Sequence, residues 1–387
     1  MKTGQPILLN VESAPRPAKV LASGRQWFKE SGLLGVMLAL GFLLTIFGGS
    51  LEVRDRDTGG VKTVNKFLRA DNLGELAKNT SFFAIMAVGA TGVIITGGID
   101  LSVGSMYCLA AVCGAMFLHY FGPRGPGAGA SPFWVVPGAV AVCLGTGTLC
   151  GLLNGLGVVG LRVHPFVITL GTMAIYRGVA FVMTKAQAFT SFPVQFTDGM
   201  IRHEINWRGA SIYPVPLAIM IGVTALAGWY LRHAVTGRHI FAVGGNEQAS
   251  LFSGLPVRRI KVKVYAFSGL TAGIAAMIML GYYGSASSDA GKGYELDVIA
   301  AAVVGGASLI GGRGTALGAL LGALIIQMIN NGIVILNIDQ NYSQIIIGAV
   351  IVLAVLLDRI NSTLREKRMA RAAQTTKEAR QEVASNK

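Results

Sequence analysis

The sequence has little charge. Only 13% of its 387 residues are Asp, Glu, Lys or Arg, about half the share of an ordinary soluble domain, whereas 52% are hydrophobic. The few charged residues lie mainly in the gaps between long apolar runs. A water-soluble globular fold is therefore excluded, because lipid is the solvent that such runs require.

Cysteine and histidine are also scarce, with four and five residues. All four cysteines lie inside apolar runs and none forms a CxxC pair, so neither a zinc site nor a disulfide framework is predicted. The sequence has no HExxH or GxSxG motif, which argues against an intramembrane enzyme. The stretch at 306–313 is rich in glycine but lacks the Lys-Ser/Thr pair of a phosphate-binding loop. No metal, cofactor or ATP is therefore expected to bind to this chain.

The net charge of +14 raises the possibility of a nucleic-acid-binding protein. However, the positive residues occupy short loops beside apolar runs rather than one continuous face. This distribution is typical of loops at a membrane surface. Nucleic-acid binding is therefore not expected.

The apolar runs have the length of membrane-spanning helices. A helix needs roughly 20 mostly apolar residues to cross a bilayer, and lipid cannot satisfy an open backbone. The sequence therefore predicts an all-α, polytopic transmembrane bundle of about ten spans. Glycine, at 52 residues, favours close helix packing, and Gly314, Gly318 and Gly322 form two GxxxG steps. The predicted spans are 32–49, 80–97, 102–121, 134–155, 165–184, 214–231, 263–282, 298–311, 315–336 and 342–357.

The loops predict the orientation, because Lys and Arg in short loops mark the cytoplasmic side. Basic residues dominate both ends of the chain and the gap at 232–263. Ten spans place all three on the cytoplasmic side. The predicted organisation is a cytoplasmic tail at 1–30, a transmembrane domain at 31–360 and a basic cytoplasmic tail at 361–387.

The 232–263 loop contains the signals of a short helix. Asn246 is a good N-cap, Glu247 follows where the helix dipole favours an anion, and Gly254 ends the helix. Leu251 and Phe252 would form an apolar patch on it. A short rigid helix would suit the transfer of force from a soluble partner, although an ordinary surface turn fits the same residues.

Four stretches resemble the membrane subunits of ribose-type ABC sugar importers. GRHIFAVGGNEQASLFSG (237–254) is similar to the cytoplasmic loop of that family. ITGGIDLSVGS (95–105), HPFVITLGTMAIYRG (164–178) and GYELDVIAAAVVGGASLIGGRGTALGALLGALI (293–325) match the same family in the same order. The resemblance covers roughly residues 80–357, with departures at Pro256 and in the charged segment 51–72.

The resemblance implies an inner-membrane permease that moves a monosaccharide or similar small polyol by alternating access. It also implies a second permease copy or close paralogue, a cytoplasmic ATP-binding cassette subunit that hydrolyses the ATP, and an extracytoplasmic sugar-binding protein. The residues that it assigns to coupling with the ATPase are Gly244, Gly245, Asn246, Glu247, Leu251, Phe252 and Gly254.

Asp100 is a carboxylate between two predicted spans, and it supports two interpretations. An intramembrane carboxylate is a candidate for proton coupling. Alternatively, Gly97 and Gly98 end one helix and Asp100 caps the next by accepting from its first amides. We favour the cap. A secondary transporter, the main alternative function, would be expected to contain a buried charge pair; Arg177 and the 295–297 carboxylates are instead predicted at span ends.

Neutral polar residues fall on two helix faces. Gln327, Asn330 and Asn331 are spaced i, i+3 and i+4, and Thr169, Thr172 and Tyr176 are spaced i, i+3 and i+7. Together with Asn154 they either line a hydrated path for an uncharged polyol or hydrogen-bond neighbouring helices to one another.

Overall fold

The structure is a computed structural model, and it describes residues 21–54, 61–207, 210–356 and 363. Both chain ends, and with them most of the predicted tails at 1–30 and 361–387, lie outside these residues. Within the described part of the chain, seven helices are long and apolar enough to cross a membrane, and two shorter apolar helical segments, Gly32–Phe47 and Gln340–Leu356, accompany them. The predicted polytopic helical bundle is therefore confirmed.

The helices are α1 (Leu21–Phe47), α2 (Ala70–Ile95), α3 (Val103–Tyr120), α4 (Pro132–Leu161), α5 (Pro165–Thr184), α6 (Val194–Phe196), α7 (Pro214–His233), α8 (Val235–Gly245), α9 (Glu247–Phe252), α10 (Val257–Tyr283), α11 (Tyr294–Val304), α12 (Ala316–Ile335) and α13 (Gln340–Leu356). A π-helical turn, Thr197–Ile201, follows α6. Most predicted spans correspond to one of these helices. The span predicted at 165–184 matches α5 at both ends. The helix starts at Pro165 because proline is favoured in the first turn, where its missing N–H costs nothing.

The span predicted at 298–311 is wrong. The helix in this region, α11, has 11 residues and is about 16 Å long, which is roughly half the thickness of a bilayer core. Gly305 and Gly306 follow its last residue, and the chain then makes a series of turns to α12. Gly306, Gly311 and Gly312 have φ of 89°, 95° and 71°, a left-handed conformation that favours glycine over the other residues.

The prediction of an all-α fold missed two small β-hairpins. Strands β1 (Ser50–Arg54) and β2 (Val61–Asn65) pair antiparallel, with Ser50 opposite Asn65. Strands β3 (Ile205–Trp207) and β4 (Ala210–Ile212) form the second antiparallel pair. The first hairpin accounts for part of the charged 51–72 segment, which is too polar for a bilayer core.

Helix α10 lies at the centre of the bundle and packs against α4, α2 and α3. Glycines make its contact with α4 unusually close: a Cβ atom on Gly151 of α4 would lie 2.9 Å from the Gly269 nitrogen of α10. In the same way, a Cβ atom on Gly147 of α4 would lie 2.8 Å from the Gly273 nitrogen of α10. Such small residues allow helix backbones to touch in the membrane.

The predicted glycine face of α12 is present for two of its three residues. Gly318 and Gly322 pack directly on the carbonyl oxygens of Gly305 and Ala301, so α12 lies tightly against α11. Gly314 precedes α12 and packs on the side chains of Ile95 and Thr91 instead.

The bundle has two distinct ends. The hairpin end contains β1–β4, the start of α2 and the end of α12, where the Asn72 and Asn331 side chains exchange hydrogen bonds of 3.1 and 2.7 Å. The α9 end contains the end of α2, α8, α9, the start of α10 and the loop 305–315. Gly312 N–H donates to the Ile95 carbonyl there, at 2.8 Å.

Candidate functional site

The short helix predicted in the 232–263 loop is present as α9. The Asn246 side chain accepts a hydrogen bond from the Ala249 amide at 2.9 Å, which confirms it as the N-cap. At the other end Gly254 has φ +79°, and the Leu255 amide donates to the Ser250 carbonyl at 3.0 Å. This is a glycine-terminated helix end with a defined geometry.

Helix α9 presents apolar side chains to the surrounding solvent. Phe252 is 85% exposed and Leu251 is 55% exposed, although both sit in a polar, basic part of the chain. Arg258 and Arg259 follow on the first turn of α10 and are also exposed. An exposed apolar patch with a charged surround is a feature of protein interaction sites.

Glu247 has a partner within the chain. Both of its carboxylate oxygens accept hydrogen bonds from Lys261 Nζ at 2.7 Å. Because Lys261 belongs to α10, this ion pair links α9 to the central helix of the bundle. The sequence placed Glu247 at a helix N-terminus but did not reveal this long-range pair.

Glycines join α8 to the interior of the bundle. A Cβ atom on Gly244 would collide with the Ile95 carbonyl and would lie 2.7 Å from the Gly312 nitrogen. A Cβ atom on Gly311 would lie 2.6 Å from the Gly244 carbonyl. Gly245, by contrast, has open space around it. The α8–α9 segment therefore contacts the end of α2 through backbone atoms.

Asp100 is buried in the turn between α2 and α3 and connects two parts of the bundle. Its Oδ1 accepts from the Ser102 amide at 3.0 Å and from the Ser102 hydroxyl at 2.7 Å, and its Oδ2 accepts from the Ser268 hydroxyl at 3.1 Å. The N-cap of α3 is Ser102, so the prediction that Asp100 is itself the cap is wrong in position. Gly97 does end α2, with φ +74°, and a Cβ atom on Gly98 would lie 2.7 Å from the Tyr265 hydroxyl.

Three of the predicted path residues extend this network. Asn154 donates to the Ser102 hydroxyl at 2.6 Å and accepts from Tyr176 at 3.1 Å. Thr169 donates to the Ile99 carbonyl at 3.2 Å. Both Asn154 and Thr169 have 0% exposure, so their hydrogen bonds connect α3, α4 and α5 as interhelical contacts.

The remaining path residues are less tightly bound or lie elsewhere. Thr172 is partly buried and donates to the Thr169 carbonyl at 3.2 Å. On α12, Asn331 pairs with Asn72, Asn330 accepts from Ser343 at 2.9 Å, and the buried Gln327 Nε2 has no hydrogen-bond partner among the described residues. Helix α5 packs on α3 and α4, whereas α12 packs on α2, α11, α1 and α7. The structure therefore separates the predicted path residues into two groups.

The sequence placed Arg177 at a span end, and this prediction is wrong. Arg177 lies inside α5, seven residues before Thr184. Its guanidinium donates to the carbonyl oxygens of Ser288 at 3.2 Å, Ala290 at 2.7 Å and Gly291 at 3.3 Å. A charged side chain in the middle of α5 thus holds an irregular backbone segment.

A buried lysine was also missed. The Lys78 side chain is 4% exposed, forms an ion pair with Glu75 and lies 3.6 Å from the centre of the Tyr282 ring. The sequence had predicted no buried charge pair, and this pair has only one buried member, Lys78. Both residues lie on α2, one turn apart, and Glu75 is 46% exposed. The i, i+3 spacing of Glu75 and Lys78 in the sequence is the pattern that could have predicted this ion pair.

Metal-binding groups are not seen in the described ranges: no cluster of three or more His, Cys, Asp or Glu side chains there could hold a metal ion. The polar network around Asp100 consists of hydroxyl, amide and carbonyl groups. Its chemistry is hydrogen bonding between helices.

Comparisons with known proteins identify the family. Residues 72–355 match the family described as branched-chain amino acid transport system / permease component. The chain belongs to this permease family. Its resemblance to ribose-type ABC sugar permeases is confirmed by the relatives described next, which are transport permeases rather than enzymes.

The ribose import permease protein RbsC of Escherichia coli (strain K12) is 38% identical over 343 residues, which cover 87% of this chain and 97% of the relative. The D-allose transport system permease protein AlsC of the same strain is 34% identical over 299 residues, covering 76% and 86%. The fructose import permease protein FrcC of Rhizobium meliloti is 30% identical over 303 residues, covering 78% and 81%. No solved structure matches the chain. This is a multi-pass membrane protein of a transport family.

Proposed function

We propose that this protein is the permease subunit of an ABC importer that carries a monosaccharide or similar small polyol across the cell inner membrane. The substrate class is supported by the names of three relatives, which describe ribose import, D-allose transport and fructose import. Transport proceeds by alternating access and is driven by ATP hydrolysis in a partner subunit. This chain itself binds no cofactor in the proposal.

The proposed orientation places the α9 end in the cytoplasm. The 232–263 loop at that end carries six basic residues and one acidic residue, and positive loops remain inside. The chain then crosses the membrane ten times, and residues 284–315 form one broken crossing that includes α11. Both termini are cytoplasmic in this arrangement.

The observation that carries the proposal is the exposed apolar surface of α9. A partner ATPase that covers Phe252 and Leu251 would gain the free energy of removing them from water. Motion of α9 would reach α10 through the Glu247–Lys261 pair and α2 through Gly244. The ATPase can drive the conformational change only if it binds the two states with different affinity.

The partners follow from the same mechanism. A second permease copy or close paralogue completes the membrane part, and an extracytoplasmic sugar-binding protein delivers the substrate to the hairpin end. Of the predicted path residues, we assign substrate contacts to Thr172 and Gln327. Thr172 is partly exposed, and the Gln327 Nε2 has no hydrogen-bond partner among the described residues. Asn154, Thr169 and Tyr176 have their polar atoms engaged between helices and are proposed to hold the walls of the path together.

The test is to replace Phe252 in the complex reconstituted with its ATPase and binding protein. Phe252→Asp should greatly reduce both sugar uptake and the stimulation of ATP hydrolysis by binding protein, because a charged group would be buried at the contact. Ser253→Asp is the matched control, since Ser253 is the exposed neighbour beyond the end of α9. Equal uptake and ATP hydrolysis in the two variants would contradict the assignment of α9 as the docking element.

A further inference from the structure

The segment between α10 and α11 enters the bundle without forming a helix. Residues 284–293 follow α10 at the hairpin end, and α11 begins only at Tyr294. The Cys108 thiol lies 3.3 Å from the Ser288 carbonyl, and a Cβ atom on Gly104 would lie 2.6 Å from the Gly291 carbonyl. This segment therefore packs along the side of α3 instead of lying above the ends of the helices.

The depth of the segment follows from the length of its neighbours. Cys108 lies twelve residues before the last residue of α3, Tyr120, so the Ser288 carbonyl is about 18 Å from that end. Arg177, which binds the same carbonyl, lies about 10 Å from the hairpin end of α5. Non-helical backbone at such depth is tolerated only where it is buried in protein or lines a water-filled cavity.

Several contacts hold this loop in place. Arg177 uses its guanidinium to bind three carbonyl groups between Ser288 and Gly291. At the hairpin end Phe189 and Ala286 exchange backbone hydrogen bonds of 2.9 and 3.0 Å. The Tyr294 ring, which opens α11, packs against Phe83 with ring centres 4.5 Å apart. The loop is thus a fixed part of the fold.

Charged side chains lie on this fixed loop and on the first turn of α11. Asp289 and Lys292 are exposed, and the Glu295 carboxylate lies against Gly104, where its buried Oε2 has no hydrogen-bond partner among the described residues. Charged groups within a membrane face a hydrated cavity or a neighbouring protein and avoid lipid. Discontinuous helices of this type form substrate sites in other membrane transporters.

We propose that residues 288–292 and the first turn of α11 form a substrate-binding subsite of the translocation pathway, which takes an uncharged polyhydroxy compound. Asp289 and Glu295 accept hydrogen bonds from its hydroxyl groups, and Lys292 donates to them. The segment carries charges of both signs, with Asp289, Glu295 and Asp297 against Lys292, and such a mixture suits hydroxyls, which donate and accept, better than it suits an anion. Arg177 is a positioning residue, since its donors are already engaged with the loop. This subsite rests on the proposed function, because it assumes that the chain transports a polyol.

The first experiment measures access of water to the loop in the full reconstituted complex. Lys292→Cys should react with a charged, membrane-impermeant methanethiosulfonate, and saturating sugar-loaded binding protein with ATP should slow that reaction. Leu226→Cys is the control, because Leu226 lies midway along α7, is exposed and is apolar, as a lipid-facing residue is. The native cysteines give the background, which is measured on the unsubstituted complex. If Lys292→Cys reacts no faster than Leu226→Cys, the loop does not line a hydrated path and the proposal is overturned.

The second experiment measures uptake and ATP hydrolysis together. Lys292→Gln and Glu295→Gln should each lower sugar uptake about tenfold, the effect of losing one charge-assisted hydrogen bond, while ATP hydrolysis remains stimulated by binding protein. They should also change the relative uptake of the sugar and its monodeoxy analogues, which a purely structural defect would not do. Arg162→Gln, in the exposed turn between α4 and α5, is the control and should leave both activities unchanged.

The two proposals fail in different ways. Absence of ATP-driven polyol uptake by the unsubstituted complex would overturn the proposed function and the subsite with it. Normal uptake by that complex, together with unchanged rates and sugar preference in Lys292→Gln and Glu295→Gln, would overturn the subsite alone.

Discussion

Substitutions at Asp100 distinguish a structural carboxylate from a proton-coupling one. The side chain accepts three hydrogen bonds, two from Ser102 and one from Ser268, and it is buried where water cannot replace them. In Asp100→Asn the amide oxygen still accepts from Ser102, and the amide N–H donates to the Ser268 hydroxyl, which can accept. The geometry is kept, and only the charge is lost. Asp100→Asn should therefore fold and transport at close to the normal rate.

Asp100→Leu removes both acceptor oxygens, and with them all three hydrogen bonds, and leaves one amide and two hydroxyl groups without these partners. At about 1–3 kcal/mol for each buried unsatisfied group, the loss of stability is several kcal/mol, a large fraction of the free energy of unfolding of a typical protein. The amount of folded permease should fall sharply. Ser268→Ala loses a single hydrogen bond to the carboxylate and should cost about 1.5–3 kcal/mol. The predicted order of decreasing stability is the unsubstituted protein, then Asp100→Asn or Ser268→Ala, and then Asp100→Leu.

The assay combines thermal unfolding of the detergent-solubilised complex with uptake into proteoliposomes at fixed ATP. A proton-coupled carrier makes the opposite forecast, because an amide cannot bind and release the coupling proton. Loss of uptake in Asp100→Asn at normal thermal stability would refute the structural interpretation. If transport also collapsed when the proton gradient is dissipated at constant ATP, the secondary-transporter alternative would replace the proposed function.

Two further predictions concern coupling and topology. Glu247→Lys should uncouple uptake from ATP hydrolysis. If the ion pair between α9 and α10 transmits the motion, adding Lys261→Glu should restore the coupling, because the pair forms again with its charges exchanged. Failure of the double variant to restore coupling would show that Glu247 acts on the partner instead. A reporter inserted near Gly254 or fused after Lys387 should signal cytoplasm, and one near Gly127 should signal the outside, so a periplasmic signal at Gly254 would invert the orientation.

Local signals in the sequence predicted local structure well. Pro165 and the preceding His164 fix the start of α5, where the His164 ring accepts from the Phe166 amide at 3.3 Å. The residues Asn246 and Gly254 likewise fix both ends of the two-turn helix α9. Capping residues act within four or five residues of the helix end, so a short stretch of sequence is enough to predict where a helix begins or ends.

The sequence does not predict which residues pair over long distances along the chain. Ser268, which completes the hydrogen bonding of Asp100, lies 168 residues further along the chain, and Glu247 and Lys261 belong to different helices. Arg177 appeared to sit at a span boundary because an arginine inside a membrane helix is costly without acceptors. Its acceptors are carbonyl groups more than a hundred residues away, in a segment whose irregular backbone the sequence did not reveal.

The segment 284–315, which contains the half-length helix α11, explains why hydropathy alone was misleading. The stretch from 298 onward is apolar because it is buried among α2, α3 and α12, and burial in protein selects the same residues as burial in lipid. A half-length helix and a full span therefore look alike until neighbours are known. The distinguishing residues are those that a lipid-facing span would avoid: the glycines that turn the chain after Val304, and Asp289, Lys292 and Glu295 before and within the first turn of α11. Our proposal of a substrate subsite at this position predicts that these charges, which interrupt an apolar pattern, face a hydrated surface inside the bundle.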